Sequence, residues 1–148
     1  MDTYDLELAF YRKLIALTFP LLETLRPDQI FNSEKSSESN AFRRGILLPL
    51  DPYTFAFGDG VYSRVESIYQ IDIWVPRSRQ NSLRSMRELS NNHVTHFFPE
   101  NGRGETVTEK QTSAHIEVRP SQRDFQREGA FLRTIVEVPF RVDILAST

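Results

Sequence analysis

The hydrophobic pattern is most regular near the C-terminus. In residues 130–145, AFLRTIVEVPFRVDIL, apolar side chains or threonine occupy every second position from Leu132 to Ile144, and charged side chains lie among the intervening positions. This period of two predicts a single β-strand, longer than the average of about 5–6 residues. Pro139 lies within it and has no N–H to donate, which is typical of an edge strand or a bulge. We therefore expect an edge strand whose backbone could pair with another chain.

Two other segments have the spacing of amphipathic helices. In residues 5–18 an apolar stripe recurs at i, i+4, i+8 and i+11 from Leu6 to Leu17. In residues 82–97 Ser82 is a candidate N-cap, and a proline follows the last turn. The inward face of this second helix is predicted to comprise Leu83, Met86, Leu89 or Ser90, Val94 and Phe97.

Shorter strands are predicted between and after the helices. Residues 67–75 alternate between an apolar side and a polar side that includes Trp74. A tryptophan on the polar side is either a covered rim residue or an interface anchor, and we favour the anchor. Residues 46–50 and 112–119 form two further strands. The inward residues of the last one are Ala114, Ile116 and Val118.

A polar, serine-rich stretch separates the first helix from these strands. Residues 32–44, NSEKSSESNAFRR, contain almost no large apolar side chain, so burial cannot offset the entropy cost of ordering them. We expect a long mobile loop that is either a plain connection or a segment that orders against a partner. Further along, Gly58-Asp59-Gly60 predicts a hairpin turn.

The order of predicted elements is helix, strand, strand, helix, strand, strand, without a repeat or a domain linker. It indicates an α+β fold in a single domain over residues 1–148. We expect a mixed or antiparallel sheet of about four to five strands, with both helices packed on one face. The charged side of the last strand would then face solvent, a lumen or a neighbouring subunit.

Composition narrows the functional classes. The 148 residues include no cysteine, which excludes disulfides and thiolate metal sites. The net charge of −2 gives no overall basic surface of the kind that general nucleic-acid binding needs. The N-terminal residues show no signal-peptide pattern, and no apolar run is long enough to span a membrane, so we expect no membrane partner.

Candidate chemistry is sparse. His93 and His96 lie at i, i+3 on one side of the second helix, a spacing that suits metal ligands, but no third ligand is evident. No nucleophile elbow, phosphate-binding loop or EF-hand pattern is present. We therefore predict no catalytic, metal-binding or cofactor-binding residues and no enzyme. A small enzyme or binding domain closing around the two histidines stays an open alternative.

Arginines cluster before and within the second helix, at Arg77, Arg79, Arg84 and Arg87. They are either a solvated helix face, supported by an Arg84–Glu88 pair at i, i+4, or a surface for an acidic partner or DNA. A nucleic-acid-binding module is therefore a further alternative. The residues that we expect to face a neighbouring subunit or partner are Arg43, Arg44, Trp74, Arg77, Arg79, Arg84, Arg87, Arg133, Glu137 and Arg141. We expect replacement of Arg133 or Arg141 to spare folding and to change assembly.

The order of these parts resembles the tail terminator family of tailed bacteriophages, which includes gpU-like minor tail proteins. The resemblance runs from the helix DLELAFYRKLIALTF through the strand SIYQIDIWVP and the helix end HFFPENG to HIEVRP and the final TIVEVPFRVDI. The step from the second helix to Phe97-Phe98-Pro99 and a glycine-containing turn is the most family-like local detail.

The resemblance implies a virion structural protein of the tail or neck, assembled in the host cytoplasm. Such a protein forms a ring, typically a hexamer, at the head-proximal end of the tail tube, where it ends tube polymerisation. The implied partners are further copies of the chain, the tail tube protein and a head-completion or connector protein, while genomic DNA passes through the lumen without specific binding. A head-closure or stopper protein, or another neck or tail-end ring component, is the alternative within the same class.

Overall fold

The computed structural model describes residues 3–34, 36, 39–49, 51–57, 60–99, 105–110 and 112–146, with the backbone alone for 51–57, 60–65 and 143–146. Two helices, α1 (Thr3–Ile15) and α2 (Ser82–Phe97), occur in this part of the chain. Its strands are β1 (Leu22–Leu25), β2 (Ala41–Leu47), β3 (Asp51–Phe57), β4 (Gly60–Pro76), β5 (Glu105–Glu109), β6 (Thr112–Ile116), β7 (Ser121–Gln122), β8 (Gln126–Glu128) and β9 (Phe131–Ala146). The predicted second helix is confirmed at both ends, and the first helix begins and ends slightly earlier than predicted.

All nine described strands belong to one sheet, whose main path runs β1-β2-β4-β9-β6-β5. The pairing of β1 with β2 is parallel, and the other pairings are antiparallel. The prediction of an α+β fold with a mixed sheet is confirmed, but the predicted strand number is too low. The reason is the length of β4 and β9, with 17 and 16 residues, because each supports short partners along its flanks.

The prediction that the last strand lies at an edge is wrong, because β9 lies inside the sheet. It pairs with β4 along its whole length, from Phe131 opposite Pro76 to Ala146 opposite Val61. On its other side β9 pairs in turn with β8, β7 and β6. The strand that carries the most regular hydrophobic pattern is therefore a central strand.

Pro139 is tolerated inside the sheet because of the side to which its backbone nitrogen points. The Arg123 N–H donates to the Ile135 carbonyl at 2.9 Å, so odd-numbered residues of β9 direct their backbone groups away from β4. On that side Glu137 is opposite β7 and Arg141 is opposite β6. Pro139 falls in the interval between them, where the chain passes from β6 to β7, and its missing N–H costs no ladder bond there.

Both helices pack on the face formed by the odd-numbered residues of β4. The core on this face contains Tyr69 and Ile71 of β4, together with Phe10 of α1 and Phe97 of α2. Phe10 stacks on the Tyr69 ring with centroids 4.7 Å apart. Gly45 of β2 makes room for that tyrosine, because a Cβ at this position would lie 1.9 Å from the Tyr69 hydroxyl oxygen.

The loop predicted over residues 32–44 ends at residue 40, because residues 41–44 belong to β2. Their pairing with β1 runs from Leu22 opposite Ala41 to Leu25 opposite Arg44. The strand predicted over 46–50 therefore begins five residues earlier and ends at Leu47. Parts of the predicted loop and of the Gly58-Asp59-Gly60 turn lie outside the described residues.

Three finer predictions are wrong. The residue before α2 is Asn81, which has a left-handed backbone with φ of 58° and makes no side-chain capping bond, so Ser82 is not the N-cap. Leu83 is 39% exposed, and the helix buries both Leu89 and Ser90. The strand predicted over 112–119 ends at Ile116, and Val118 beyond it is 61% exposed.

Candidate functional site

An aromatic cluster covers one end of the sheet face opposite the helices. It consists of Phe31, Phe42, Trp74 and Phe131. Phe31 stacks on Trp74 with ring centroids 4.3 Å apart, and Trp74 is only 2% exposed. Trp74 is therefore a core residue and not the exposed interface anchor that its polar neighbours suggested. The even-numbered side of β4 is buried here because Phe31 of the β1–β2 connection stacks on it and the Glu128 side chain of β8 reaches it.

A buried carboxylate with two arginines lies beside this cluster. Asp72 is fully buried, and its Oδ1 accepts from Arg133 Nη2 at 2.9 Å while Oδ2 lies 3.4 Å from Arg44 Nη2. Both guanidinium groups lie over the Trp74 ring, at 5.8 Å for Arg44 and 5.7 Å for Arg133. Two predicted interface arginines thus compensate a buried charge and hold the fold together.

Two further bonds fasten the covering segments to this face. Trp74 Nε1 donates to Glu128 Oε2 at 2.6 Å and so attaches β8. Arg44 Nη1 donates to the Gln29 carbonyl at 2.7 Å and so attaches the β1–β2 connection. These contacts indicate a structural role for Arg44 and Trp74, in contrast to the predicted partner contact.

Arg43 lies on the opposite face of β2, among the helices, and is 3% exposed. Its guanidinium donates to Thr24 Oγ1 at 2.8 Å, to the Leu17 carbonyl at 2.5 Å and to His93 Nε2 at 2.8 Å. Burial lowers the pKa of Arg43 to about 10. The predicted interface role of Arg43 is therefore wrong for the folded chain, because its donors are used inside the molecule.

The two histidines of α2 do not form a common site. His93 Nδ1 donates to the Leu89 carbonyl at 2.7 Å, which leaves Nε2 to accept from Arg43. Burial, with a smaller contribution from the Arg43 charge, lowers the pKa of His93 to about 4. His96 Nε2 donates to the Lys13 carbonyl at 2.6 Å, and burial lowers the pKa of His96. Within the described ranges no group of three or more histidines and carboxylates is placed to hold a metal ion.

The other predicted arginines lie at the surface near the start of α2. Arg77 Nη1 donates to the Gly129 carbonyl at 3.2 Å, and Arg84 pairs with Glu88 at 3.0 Å while both side chains stay exposed. Arg87 is exposed, and Arg79 is half-buried with an Nη2 that has no hydrogen-bond partner in the described part of the chain. These four are the predicted interface residues that the fold leaves at its surface.

Glu137 and Arg141, the remaining predicted residues, are half-buried on β9 and carry internal partners. Glu137 forms an ion pair with Arg123 of the β7–β8 segment. Arg141 Nη2 donates to Glu117 Oε1 at 2.6 Å. The structure therefore brings Arg44, Trp74 and Arg133 together. It leaves the four arginines near the start of α2 at the surface, and it places Arg43, Glu137 and Arg141 at separate positions.

The sequence reasoning missed a cleft between α1 and the segment after β1. Its volume is about 410 Å³, and its lining residues are Tyr4, Glu7, Leu8, Tyr11, Arg26, Pro27 and Asp28. Burial raises the pKa of Glu7 within this largely apolar lining. The available signal was a second stripe on α1, in which Tyr4, Leu8 and Tyr11 recur at i, i+4 and i+7.

Comparison with solved structures gives a fold relationship. No protein-family model matches the chain, and no curated protein matches it. One solved structure matches 99% of this chain over 99% of its own chain, with a TM-score of 0.68 and 14% sequence identity. That protein is known by an identifier that describes no activity, so the similarity establishes a shared fold alone. In addition, neither described helix is long and apolar enough to cross a membrane.

Proposed function

We propose that this protein is a virion structural protein of the phage tail terminator type. It forms a ring at the head-proximal end of the tail tube, ends tube polymerisation and joins the tail to the head connector. The observation that carries the proposal is the pairing of β3 with the first half of β4, because it extends the sheet and leaves β3 with an edge that no described strand covers.

The first half of β4 belongs to a three-stranded extension of the sheet. There β3 pairs with β4 from Asp51 opposite Glu66 to Phe57 opposite Gly60, and β9 pairs with the same stretch of β4. On this extension β3 pairs with β4 alone, as far as the described strands go, so its second edge offers backbone groups. A strand edge of this kind is suited to pairing with another chain.

The partners follow from the sequence resemblance and from this architecture. Copies of the chain contact one another head to tail, and a contact of this type closes into a ring when the rotation between subunits permits. Six copies, the number typical of the resembled family, would surround a lumen for DNA. Neighbours along the axis are the tail tube protein on one side and the head connector on the other, which places the protein in the virion tail or neck.

Mass photometry over a range of concentrations, with negative-stain microscopy, tests ring formation. We expect closed rings of uniform size, either in solution or on the ends of purified tail tubes, and tubes that stop growing once the protein is added. A chain that stays monomeric, leaves tube ends free and does not affect tube length contradicts the proposal. A ring that binds the connector but not the tube supports the head-closure alternative.

The arginines near α2 favour one second candidate, a nucleic-acid-binding module. Arg77 and Arg87 are exposed and make no ion pair with any described residue. Binding of this kind is strongly salt-dependent, because each neutralised phosphate releases counterions. Titration of a short DNA duplex at two salt concentrations separates this candidate from the structural one, for which we expect weak binding at most.

A further inference from the structure

The first turns of α2 expose one apolar side chain beside two arginines. Leu83 is 39% exposed, and the exposed side chains of Arg84 and Arg87 flank it. Among the described residues, Glu88 forms an ion pair with Arg84, and Arg87 has none. Protein–protein interfaces are enriched in arginine and in exposed apolar anchors of this kind. We refer to Leu83, Arg84 and Arg87 as the α2 knob.

The cleft beside α1 has the complementary character. Its walls are largely apolar, and its lining includes the carboxylates of Glu7 and Asp28 together with the guanidinium of Arg26. Asp28 is 79% exposed, and its only described ion pair, with Arg26, is long at 3.5 Å. Burial already raises the pKa of Glu7, so an incoming guanidinium would stabilise its charged form. The volume of about 410 Å³ is ample for a leucine side chain and one guanidinium.

We propose that the α2 knob of one copy docks in the α1 cleft of the next copy. This inference rests on the proposed ring, and it identifies one contact by which neighbouring subunits recognise each other. The knob supplies an apolar anchor and two arginines, of which Arg84 already pairs with Glu88, and the cleft supplies apolar walls and two carboxylates, of which Asp28 lies 3.5 Å from Arg26. Matching of apolar and charged groups across an interface fixes which surfaces meet and speeds their association.

The positions of the two surfaces fit a head-to-tail contact. They share no residue, and their helices pack on different strands, α1 against β5 and β2 and α2 against β9 and β4. The helices meet at their C-terminal ends, where His96 contacts the Lys13 carbonyl. The knob lies about 20 Å away along α2, since 13 residues at 1.5 Å each separate Leu83 from His96. One copy can therefore use its knob and its cleft with two different neighbours.

A second copy fits the knob better than DNA does. A net charge of −2 places more negative than positive charge on the chain, which works against approach to a polyanion. The knob also contains an exposed leucine, which gains no favourable contact with a charged phosphate backbone but can be buried in an apolar cleft. Salt-dependent binding of a DNA duplex by the knob, with no effect of the knob on self-association, would overturn the proposal.

Charge reversal on each side tests the contact. The knob variant is Arg84→Glu/Arg87→Glu, and the cleft variant is Glu7→Arg/Asp28→Arg. The matched control is Arg119→Glu/Arg127→Glu, which changes two exposed arginines in the same way as the knob variant. Circular dichroism and thermal unfolding select variants that stay folded. If Glu7→Arg unfolds the chain, Asp28→Arg alone replaces it, because Asp28 is exposed.

We expect the knob and cleft variants each to lose rings in mass photometry, at least tenfold in ring population, while the control keeps them. An equimolar mixture of the two variants offers two complementary contacts in alternation, the wild-type knob in the wild-type cleft and the reversed knob in the reversed cleft, and should regain rings in which the two variants alternate. A chain with all four changes should regain rings. Rings from either variant alone would overturn this inference and leave the proposed function standing, whereas wild-type protein that neither assembles nor binds tubes would overturn both.

Discussion

Arg43 donates a hydrogen bond to the neutral side chain of His93, with 2.8 Å between Nη1 and Nε2, in the core between β2 and α2. Only an unprotonated Nε2 can accept this bond, since His93 already donates from Nδ1 to the Leu89 carbonyl. Protonation of His93 would therefore place two positive groups against each other in a buried setting. This arrangement makes the stability of the fold dependent on pH.

Stability should fall on acidification from about pH 6.5 to about pH 4. His93 has a pKa near 6.5 when unfolded and about 4 when folded, so in this window the unfolded chain binds more protons. The loss approaches about 3 kcal/mol at pH 4 and below, at 1.36 kcal/mol per pKa unit. Urea unfolding at several pH values measures it. The variant His93→Gln should lose most of this slope, and His115→Gln, on β6, should keep it; an unchanged slope in His93→Gln contradicts this role.

Replacement of Arg133 by alanine should destabilise the fold, in contrast to the expectation from the sequence. Asp72 is fully buried and would retain Arg44 as its one arginine partner. We expect a loss of about 2–3 kcal/mol, below the 3–5 kcal/mol for an unpaired buried charge. Chemical denaturation measures the change, and the exposed control Arg87→Ala should stay within about 0.5 kcal/mol. Equal stability of the two variants would show that the Asp72 network contributes little.

Gly45→Ala should also destabilise the protein. The added Cβ would lie 1.9 Å from the Tyr69 hydroxyl oxygen and 2.4 Å from its Cζ, and the buried ring has little room to move. Overpacking of this kind costs about 1–3 kcal/mol. Tyr69→Phe in the wild-type background should be nearly neutral, because the buried hydroxyl has no hydrogen-bond partner among the described residues. A neutral Gly45→Ala, measured by thermal unfolding, would contradict the close approach.

An acidic residue at the start of α2 should raise the stability of the fold. Asn81 makes no side-chain capping bond, and the first turn contains no carboxylate. Ser82→Asp should stabilise the fold by about 0.3–1 kcal/mol, because negative charge at a helix start complements the dipole. Thr95→Asp, the same type of change near the helix end, should have the opposite sign. Thermal unfolding at low salt compares the two, and equal effects would rule out the dipole explanation.

The helices were predictable because their evidence is local. In α2 the spacing of apolar residues and the proline after the last turn determine both ends, and the buried set includes Met86, Val94 and Phe97 as predicted. The strands were predictable as strands but not in their positions within the sheet. Because prolines are usually found on edge strands, Pro139 led to the prediction of an edge. Its place on a central strand is explained by its position between Glu137, which is opposite β7, and Arg141, which is opposite β6.

The site residues were less predictable because covering segments decide their burial. The sequence pattern assigns Trp74 and Asp72 to the polar side of β4. They are buried because segments distant in the sequence contact this side, through the Gln29 carbonyl bonded to Arg44 and through Glu128 bonded to Trp74. The sequence pattern assigns Arg43 to a polar loop, whereas in the structure parallel pairing of β2 with β1 places it in the core. Such long-range coverage has no periodic signal in the sequence.

The central claim is that the chain assembles with copies of itself on the end of a tail tube. The most direct measurement is electron microscopy of purified tubes incubated with the protein, with mass photometry of the protein alone at matched concentrations. We predict closed rings of one size that occupy one end of each tube and halt its growth. Bare tube ends together with a chain that remains monomeric at every concentration would contradict the account.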